Sequence, residues 1–315
     1  MQIVILDAAT LTCGDIDFSP FEQLGEVIIY DSTTPEQVID RLEGKEYVIL
    51  NKVVLDRDII SRLPSLKYIG LFATGYNNID LTAAKEHGVT VCNAGSYSTD
   101  AVAQHTFGYI LNQYTRISDY SRFVMDGGWT QSKVFSPVVF PTDEIAGKTL
   151  GIIGYGSIGK KVAKIADAFG MKVIVHPRTV REDGHTQFVS LEELLGNSDI
   201  ISLHCPLTKE NTGMFNAKLF ARCKKGAYFI NTARGGLVDE QALFDVLESG
   251  QLSGAALDVI STEPMRKDCV LLKAKNITIT PHSAWTPTAT RQRVTDIAAE
   301  NLRCFVNGTP QNVIV

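Results

Sequence analysis

Three residues lie far apart in the chain and carry side chains that a single reaction would use together. Arg234 stands in the run Asn231-Thr232-Ala233-Arg234-Gly235-Gly236, Glu263 in Asp258-Val259-Ile260-Ser261-Thr262-Glu263-Pro264, and His282 in Pro281-His282-Ser283-Ala284. A guanidinium can grip a carboxylate through two parallel hydrogen bonds. An imidazole held by a carboxylate can move a proton near neutral pH. Upstream, Gly154-Tyr155-Gly156-Ser157-Ile158-Gly159 has the form of a dinucleotide-binding loop, and a pyridine nucleotide carries a hydride. Together these features point to an oxidoreductase acting on a small 2-hydroxy or 2-keto acid.

The elements that must position these groups form two βα series. Short β-rich runs alternate with helical patterns, which predicts parallel sheets with crossover helices. The first series has strands at Ile3–Leu6, Val27–Ile29, Tyr47–Leu50, Lys67–Leu71 and Val89–Cys92. Thr34, Pro35 and Gln37 suit a capping box, and Asp80 suits the cap of a helix that Gly88 ends. A long helical stretch follows, capped by Thr99 or Asp100 and running to Gly127-Gly128-Trp129. The segment after it, with Trp129, Phe135, Val138, Val139 and Phe140, is unusually apolar for a loop and suggests a subunit interface. The second series has strands at Thr149–Ile153, Lys172–Val175, Ile200–Leu203, Ala227–Asn231, Gly254–Leu257 and Ile277–Thr280, with a helix over Asp239–Ser249. A last helix from about Thr288 to Asn307 is expected to pack back on the first series.

Arg234, Glu263 and His282 then fall after three successive strands, at the C-terminal edge of one sheet, where open α/β folds bind ligands. The glycine loop also gains its required context. Gly154 permits the tight turn after a buried strand, Gly156 lets the backbone approach a pyrophosphate, and Gly159 lets the next helix pack closely. The N–H groups opening that helix would face the anion. A site selective for NAD usually has an Asp or Glu at the end of the next strand. Here the run is His176-Pro177-Arg178-Thr179-Val180-Arg181. With no acid at 176–179, Arg178 and Thr179 are candidates for holding a 2′-phosphate, so NADP is expected beside NAD.

On these motifs the chain resembles the D-isomer-specific 2-hydroxyacid dehydrogenase family. The matching runs are Gly154–Gly159, Asp199–Thr208, Phe229–Asp239, Ala256-Leu257-Asp258-Val259 with Glu263-Pro264, and Thr280-Pro281-His282. A looser match covers Gly70–Asp80, and Ala284-Trp285-Thr286-Pro287 is most similar to the glycerate dehydrogenase (hydroxypyruvate reductase) branch. The resemblance implies two Rossmann-like domains with a cleft between them: a discontinuous substrate domain at 1–97 plus 287–315, and a dinucleotide-binding domain at 98–286. It implies that Arg234 binds the substrate carboxylate and that His282 exchanges the proton at the C2 oxygen. Glu263 would pair with His282, and the amides of Ala73, Thr74 and Gly75 would also bind the carboxylate. The cofactor would be lined by Thr106, Gly154, Tyr155, Gly156, Ser157, Ile158, Gly159, His176, Pro177, Arg178, Thr179, His204, Cys205, Pro206, Thr232, Ala233, Asp258 and Ala284. Candidates for the substrate's side-chain pocket are Asn51, Lys52, Tyr76 and Trp285. One departure is Gln104, where the family commonly carries Glu.

Composition excludes several other classes. The chain has 315 residues, 44% hydrophobic and 21% charged, with a formal net charge of -5, so a nucleic-acid partner has no electrostatic support. No apolar run approaches the roughly 18 residues that span a bilayer, and the start reads as a first strand and not a signal peptide. Cys13, Cys92, Cys205, Cys223, Cys269 and Cys304 are scattered without a CxxC pair; reduced thiols in a cytoplasmic protein are expected, and no metal site. The expected partners are a small-molecule acid and a second copy of the chain. A D-lactate-type 2-keto acid reductase is the nearest alternative. A nucleotide-sensing, corepressor-like binding protein is the alternative from another class, disfavoured by the lack of long polar tails.

Overall fold

A computed structural model describes residues 1–177 and 186–315. Within it the chain divides into two compact units, Met1–Ser98 with Trp285–Val315, and Thr99–Ala284. These junctions fall one and two residues from those suggested by the sequence.

The first unit is built on five strands, β1 (Gln2–Ile5), β2 (Glu26–Ile29), β3 (Tyr47–Leu50), β4 (Tyr68–Leu71) and β5 (Thr90–Cys92), in the order β2-β1-β3-β4-β5. All pairings are parallel. Successive side chains leave a strand on opposite faces, and the core follows that alternation. Val4, Val48, Ile69 and Leu71 join one apolar cluster, while Ile3, Ile5, Ile49 and Tyr68 join another. The second cluster is closed by Val294, Ala298, Ala299 and Leu302 of the Thr288–Val306 helix, which packs on the first unit as its position in the sequence suggests. Thr34 N donates to Gln37 Oε1 at 3.0 Å, and Asp80 caps Leu81–Glu86 by accepting from Ala83 N at 2.9 Å.

The second unit has β6 (Thr149–Ile153), β7 (Lys172–His176), β8 (Gln187–Phe188), β9 (Ile200–Leu203), β10 (Ala227–Asn231), β11 (Leu252–Leu257) and β12 (Ile277–Ile279). Among the described residues their order is β12-β11-β10-β9-β6-β7-β8. The sheet is again parallel. Both of its faces are buried: Ile153, Ile201, Leu203, Phe229 and Leu257 on one, Leu150, Ile152, Ile200, Tyr228, Ile230 and Ala256 on the other. Burying one large apolar side chain is worth roughly 1.5–3 kcal/mol, whereas an exposed ion pair gives about 0–1 kcal/mol. The interior, not the surface charge, therefore sets this register. The two-residue β8 does not show as a strand in the sequence.

The helical stretch after the first series differs from expectation in two ways. Thr99 and Asp100 lie in its first turn, since the helix already begins at Thr99. It is also not continuous to Gly127. It stops at Thr115, Arg116 takes a left-handed conformation with φ 54°, and a second helix runs Ile117–Met125. Two local contacts hold the break: Ser118 Oγ donates to Asn112 Oδ1 at 2.8 Å, and Arg116 Nε to Asp119 Oδ2 at 2.5 Å. Val102, Thr106, Tyr109 and Ile110 are buried as their spacing predicts, but Ile117 is 63% exposed. The apolar segment beyond it is split: Phe140 packs edge-on against Tyr120 of its own unit, with ring centroids 5.1 Å apart, while Phe135 is 91% and Val138 88% exposed.

Candidate active site

Three adjacent strands, β10, β11 and β12, end at one edge of the second sheet, and each is followed by one of the three candidate residues. After β10, Asn231 organises the turn: its Nδ2 donates to Arg234 O at 2.9 Å and its Oδ1 accepts from Ala233 N at 2.9 Å. The Arg234 guanidinium is half-buried and donates from Nη1 to Ala233 O at 2.7 Å. It has no carboxylate partner among the described residues, so its fork stays available for an anion. Gly235 can carry no side chain, because a Cβ there would sit 1.9 Å from the Ile260 backbone. That contact brings the Arg234 turn against the loop that bears Glu263.

Glu263 accepts from Ile260 N at 3.1 Å through Oε1, and its Oε2 lies 2.7 Å from His282 Nδ1. One carboxylate oxygen thus holds its own loop and the other holds the imidazole. The side chains of His282 and Glu263 are 29% and 37% exposed. His282 Nε2 makes no hydrogen bond among the described residues, which leaves it as the nitrogen open to a reacting group. His282 itself has φ 54°, a left-handed conformation that few residues other than glycine adopt.

Asp258, 2% exposed, secures that conformation. Its backbone oxygen accepts from His282 N at 2.8 Å, and its carboxylate accepts from Ser283 N at 2.8 Å, Ala284 N at 2.9 Å and the Thr280 hydroxyl. Ala284 is buried. Thr106 and Thr232, both buried, face each other with their hydroxyls 3.4 Å apart. Sequence reading assigns Asp258, Thr106, Thr232 and Ala284 to the cofactor; in the structure Asp258 and Ala284 also brace the histidine loop. His105 and Tyr109, which bond to Thr280 behind that loop, were missed. Their spacing on a buried helix face carries no sign of a partner as far along the chain as Thr280.

The glycine loop lies along the same edge, after β6. Gly154 has φ 96°, and a Cβ there would meet Cys205 N at 2.6 Å. At Gly159 a Cβ would lie 2.3 Å from Gly154 O, so the Ser157–Ala168 helix can approach the turn only without one. Gly156, by contrast, faces open space. Beside it is a cavity of about 720 Å³ lined by Gly154, Tyr155, Gly156, His176, Pro177, His204, Cys205 and Pro206, among others. The helix opening at Ser157 and Ile158 has no acidic residue in its first turn, as an anion-binding helix start requires. The His204 ring borders the cavity, but its Nδ1 is shut away without a partner. Burial pushes its pKa down to about 3, so the ring is neutral. Burial also pushes the Cys205 thiol up, making it an unreactive wall. A dinucleotide fits this combination of open glycine, donor-rich helix start and largely apolar cavity. The expected 2′-group residues Arg178 and Thr179 lie outside the described residues.

In the first unit, Ala73, Thr74 and Gly75 follow β4. The Thr74 hydroxyl donates to Gly95 O, Asn93 Nδ2 to Thr74 O at 2.7 Å, and Ala94 N to Ala73 O at 2.9 Å. The loop is thus tied down through its oxygens, while its three N–H groups have no acceptor among the described residues. Of the pocket candidates, Asn51 donates to Thr10 Oγ1 at 2.9 Å, Trp285 packs edge-on against Tyr97, and Tyr76 is 41% exposed.

Known proteins are similar to this chain. Residues 107–284 match the family described as D-isomer specific 2-hydroxyacid dehydrogenase, NAD binding domain. A hydroxypyruvate reductase of Blautia hydrogenotrophica is 41% identical over 320 residues, covering 100% of this chain and 99% of the relative. A glycerate dehydrogenase of Methylorubrum extorquens is 40% identical, covering 99% and 98%. Among solved structures, a protein of Thermus thermophilus superposes with a TM-score of 0.90 at 35% identity over the whole of both chains. With a family match across most of the second unit and relatives spanning both, the chain belongs to the D-isomer-specific 2-hydroxyacid dehydrogenase family.

Proposed function

We propose that the chain reduces hydroxypyruvate or glyoxylate to the corresponding 2-hydroxy acid, with His282 as proton donor and Arg234 as reader of the carboxylate. Family membership makes it a dehydrogenase dependent on NAD or NADP; the substrate and the residue roles are the parts inferred. The observation that carries the site assignment is the 2.7 Å pairing of His282 with Glu263 at the sheet edge where Arg234 has no carboxylate partner among the described residues. A nicotinamide nucleotide held along the glycine loop Gly154–Gly159 would supply the hydride that C2 receives. Arg234 orients the substrate through its carboxylate and draws electron density from the C2 oxygen. His282 delivers a proton to that oxygen from Nε2, and Glu263 holds the ring through Nδ1 so that Nε2 stays aimed. In oxidation the same nitrogen takes the proton back. The family resemblance also assigns carboxylate binding to the N–H groups of Ala73, Thr74 and Gly75 in the first unit, which have no acceptor among the described residues.

Hydroxypyruvate is favoured because relatives near 40% identity carry the names hydroxypyruvate reductase and glycerate dehydrogenase, and glyoxylate because others are named glyoxylate reductase. NADPH is expected to serve at least as well as NADH, because neither His176 nor Pro177 at the end of β7 is an acid that would repel a 2′-phosphate. The exposed face of Ile117, Met125, Trp129, Phe135 and Val138 supports a homodimer, since large apolar patches on a lone surface are unusual. All six cysteines are unpaired, in keeping with a reducing, cytoplasmic setting. The deciding assay is oxidation of NADH and NADPH with hydroxypyruvate, glyoxylate, pyruvate and oxaloacetate side by side. Highest kcat/KM with hydroxypyruvate or glyoxylate is expected. Preference for pyruvate would instead make it a lactate-type reductase, and no turnover would favour a nucleotide sensor.

A further inference from the structure

We propose that Tyr109 is a positioning residue for His282, acting through Thr280 and Asp258; the inference rests on His282 being the proton donor. Tyr109 lies on the Thr99–Thr115 helix, is 6% exposed, and brings its hydroxyl to 2.5 Å from Thr280 Oγ1. His105, one turn earlier, reaches the same oxygen from Nε2 at 3.2 Å and sets its ring edge-on to Tyr109 with centroids 4.7 Å apart. The Thr280 hydroxyl in turn bonds Asp258 Oδ1.

Counting hydrogens gives this chain of bonds a direction. Both Asp258 carboxylate oxygens accept backbone N–H groups, so the carboxylate is an acceptor and the single hydrogen of Thr280 goes to it. The two lone pairs of Thr280 Oγ1 then receive Tyr109 O–H and His105 Nε2–H. Thr280 is thereby saturated, and the Asp258 carboxylate is fixed on its buried side by side chains of one helix. On its other side it holds Ser283 N and Ala284 N, while Asp258 O holds His282 N.

What this anchors is a conformation that does not hold itself. A left-handed backbone at a non-glycine residue persists only where its surroundings impose it, and here most of the bonds around it come from Asp258, with one from His282 N to Thr280 O at 3.0 Å. His282 at φ 54° aims Nδ1 at Glu263 and leaves Nε2 open. If Asp258 gains freedom, the imidazole loses that aim while Arg234 and the glycine loop stay in place. Loss of the Tyr109 hydroxyl should therefore act chiefly on the chemical step and only slightly on ligand binding.

The test uses the full-length enzyme with saturating cofactor and compares Tyr109→Phe, Thr280→Val and Thr280→Ser. Tyr109→Phe keeps the ring and removes one buried hydrogen bond, so kcat should fall about 3- to 10-fold, with both KM values within about twofold. Thr280→Val should lower kcat at least as far, and Thr280→Ser, which keeps the hydroxyl, should restore it to within about twofold. In a His282→Ala background Tyr109→Phe should cause no further loss, because residues that act as one unit are not additive. A Tyr109→Phe enzyme that loses thermal stability but keeps kcat overturns the proposal, as does an equal further loss in the His282→Ala background. If His282→Ala itself retains wild-type turnover, the proton-donor reading falls and this inference with it. If His282→Ala is inactive and Tyr109→Phe is not, only the positioning role is wrong.

Discussion

The two units are the same kind of object, a twisted parallel sheet with helices on its faces, yet they offer ligands different things. The second unit presents charged side chains after β10, β11 and β12: Arg234, Glu263 and His282. The first presents main chain after β4: the N–H groups of Ala73, Thr74 and Gly75, in a loop pinned through its own oxygens. A side chain can give or take a proton, whereas an amide can only donate a hydrogen bond. Under the proposed function this difference would divide the labour, with chemistry in the second unit and static recognition in the first.

Substitutions should expose that division. The largest effect is expected at His282. His282→Ala should lower kcat by at least about 100-fold, in the usual range for general acid–base residues, with cofactor affinity unchanged by direct titration. Near wild-type turnover would mean the proton comes from elsewhere. A smaller loss is expected from Glu263→Gln, roughly 10-fold for one charge-assisted hydrogen bond. Wild-type kcat in Glu263→Gln would make Glu263 a dispensable support. The smallest effect is expected in the first unit. Thr74→Ala removes a hydroxyl but leaves all three amides, so kcat/KM should change by no more than roughly threefold. A loss comparable to that at His282 would erase the contrast between the units.

How much of this was readable beforehand follows the same line. Strands such as Tyr47–Leu50, Thr149–Ile153, Ile200–Leu203 and Ala227–Asn231 lie where the sequence puts them, because a parallel strand buried on both faces must be a continuous apolar run. Arg234 was legible because it follows such a strand, and Glu263 and His282 because they follow the next two strands along the same sheet. The helix break at Arg116 was not. Arginine carries no turn signal, and the break depends on bonds from Asn112 and Asp119 that periodicity cannot show. The brace behind His282 was equally hidden: Tyr109 and Thr280 are 171 residues apart in the chain, and a tyrosine at a buried helical position reads as core. The left-handed backbone of His282 likewise depends on the fold around it. Reactive side chains declare themselves in a sequence; the bonds that aim them do not.

The central claim is that Arg234 reads a carboxylate next to the carbonyl that His282 protonates. It is tested most directly by comparing hydroxypyruvate with its amide as substrates for the wild type and for Arg234→Lys. Two charge-assisted hydrogen bonds from a planar fork should give the wild type a preference for the acid of at least about 100-fold in kcat/KM. Lysine keeps the charge but not the fork, and most of that preference should disappear in the variant. Reduction of the amide as fast as the acid by the wild type, or an undiminished preference in Arg234→Lys, would contradict the account.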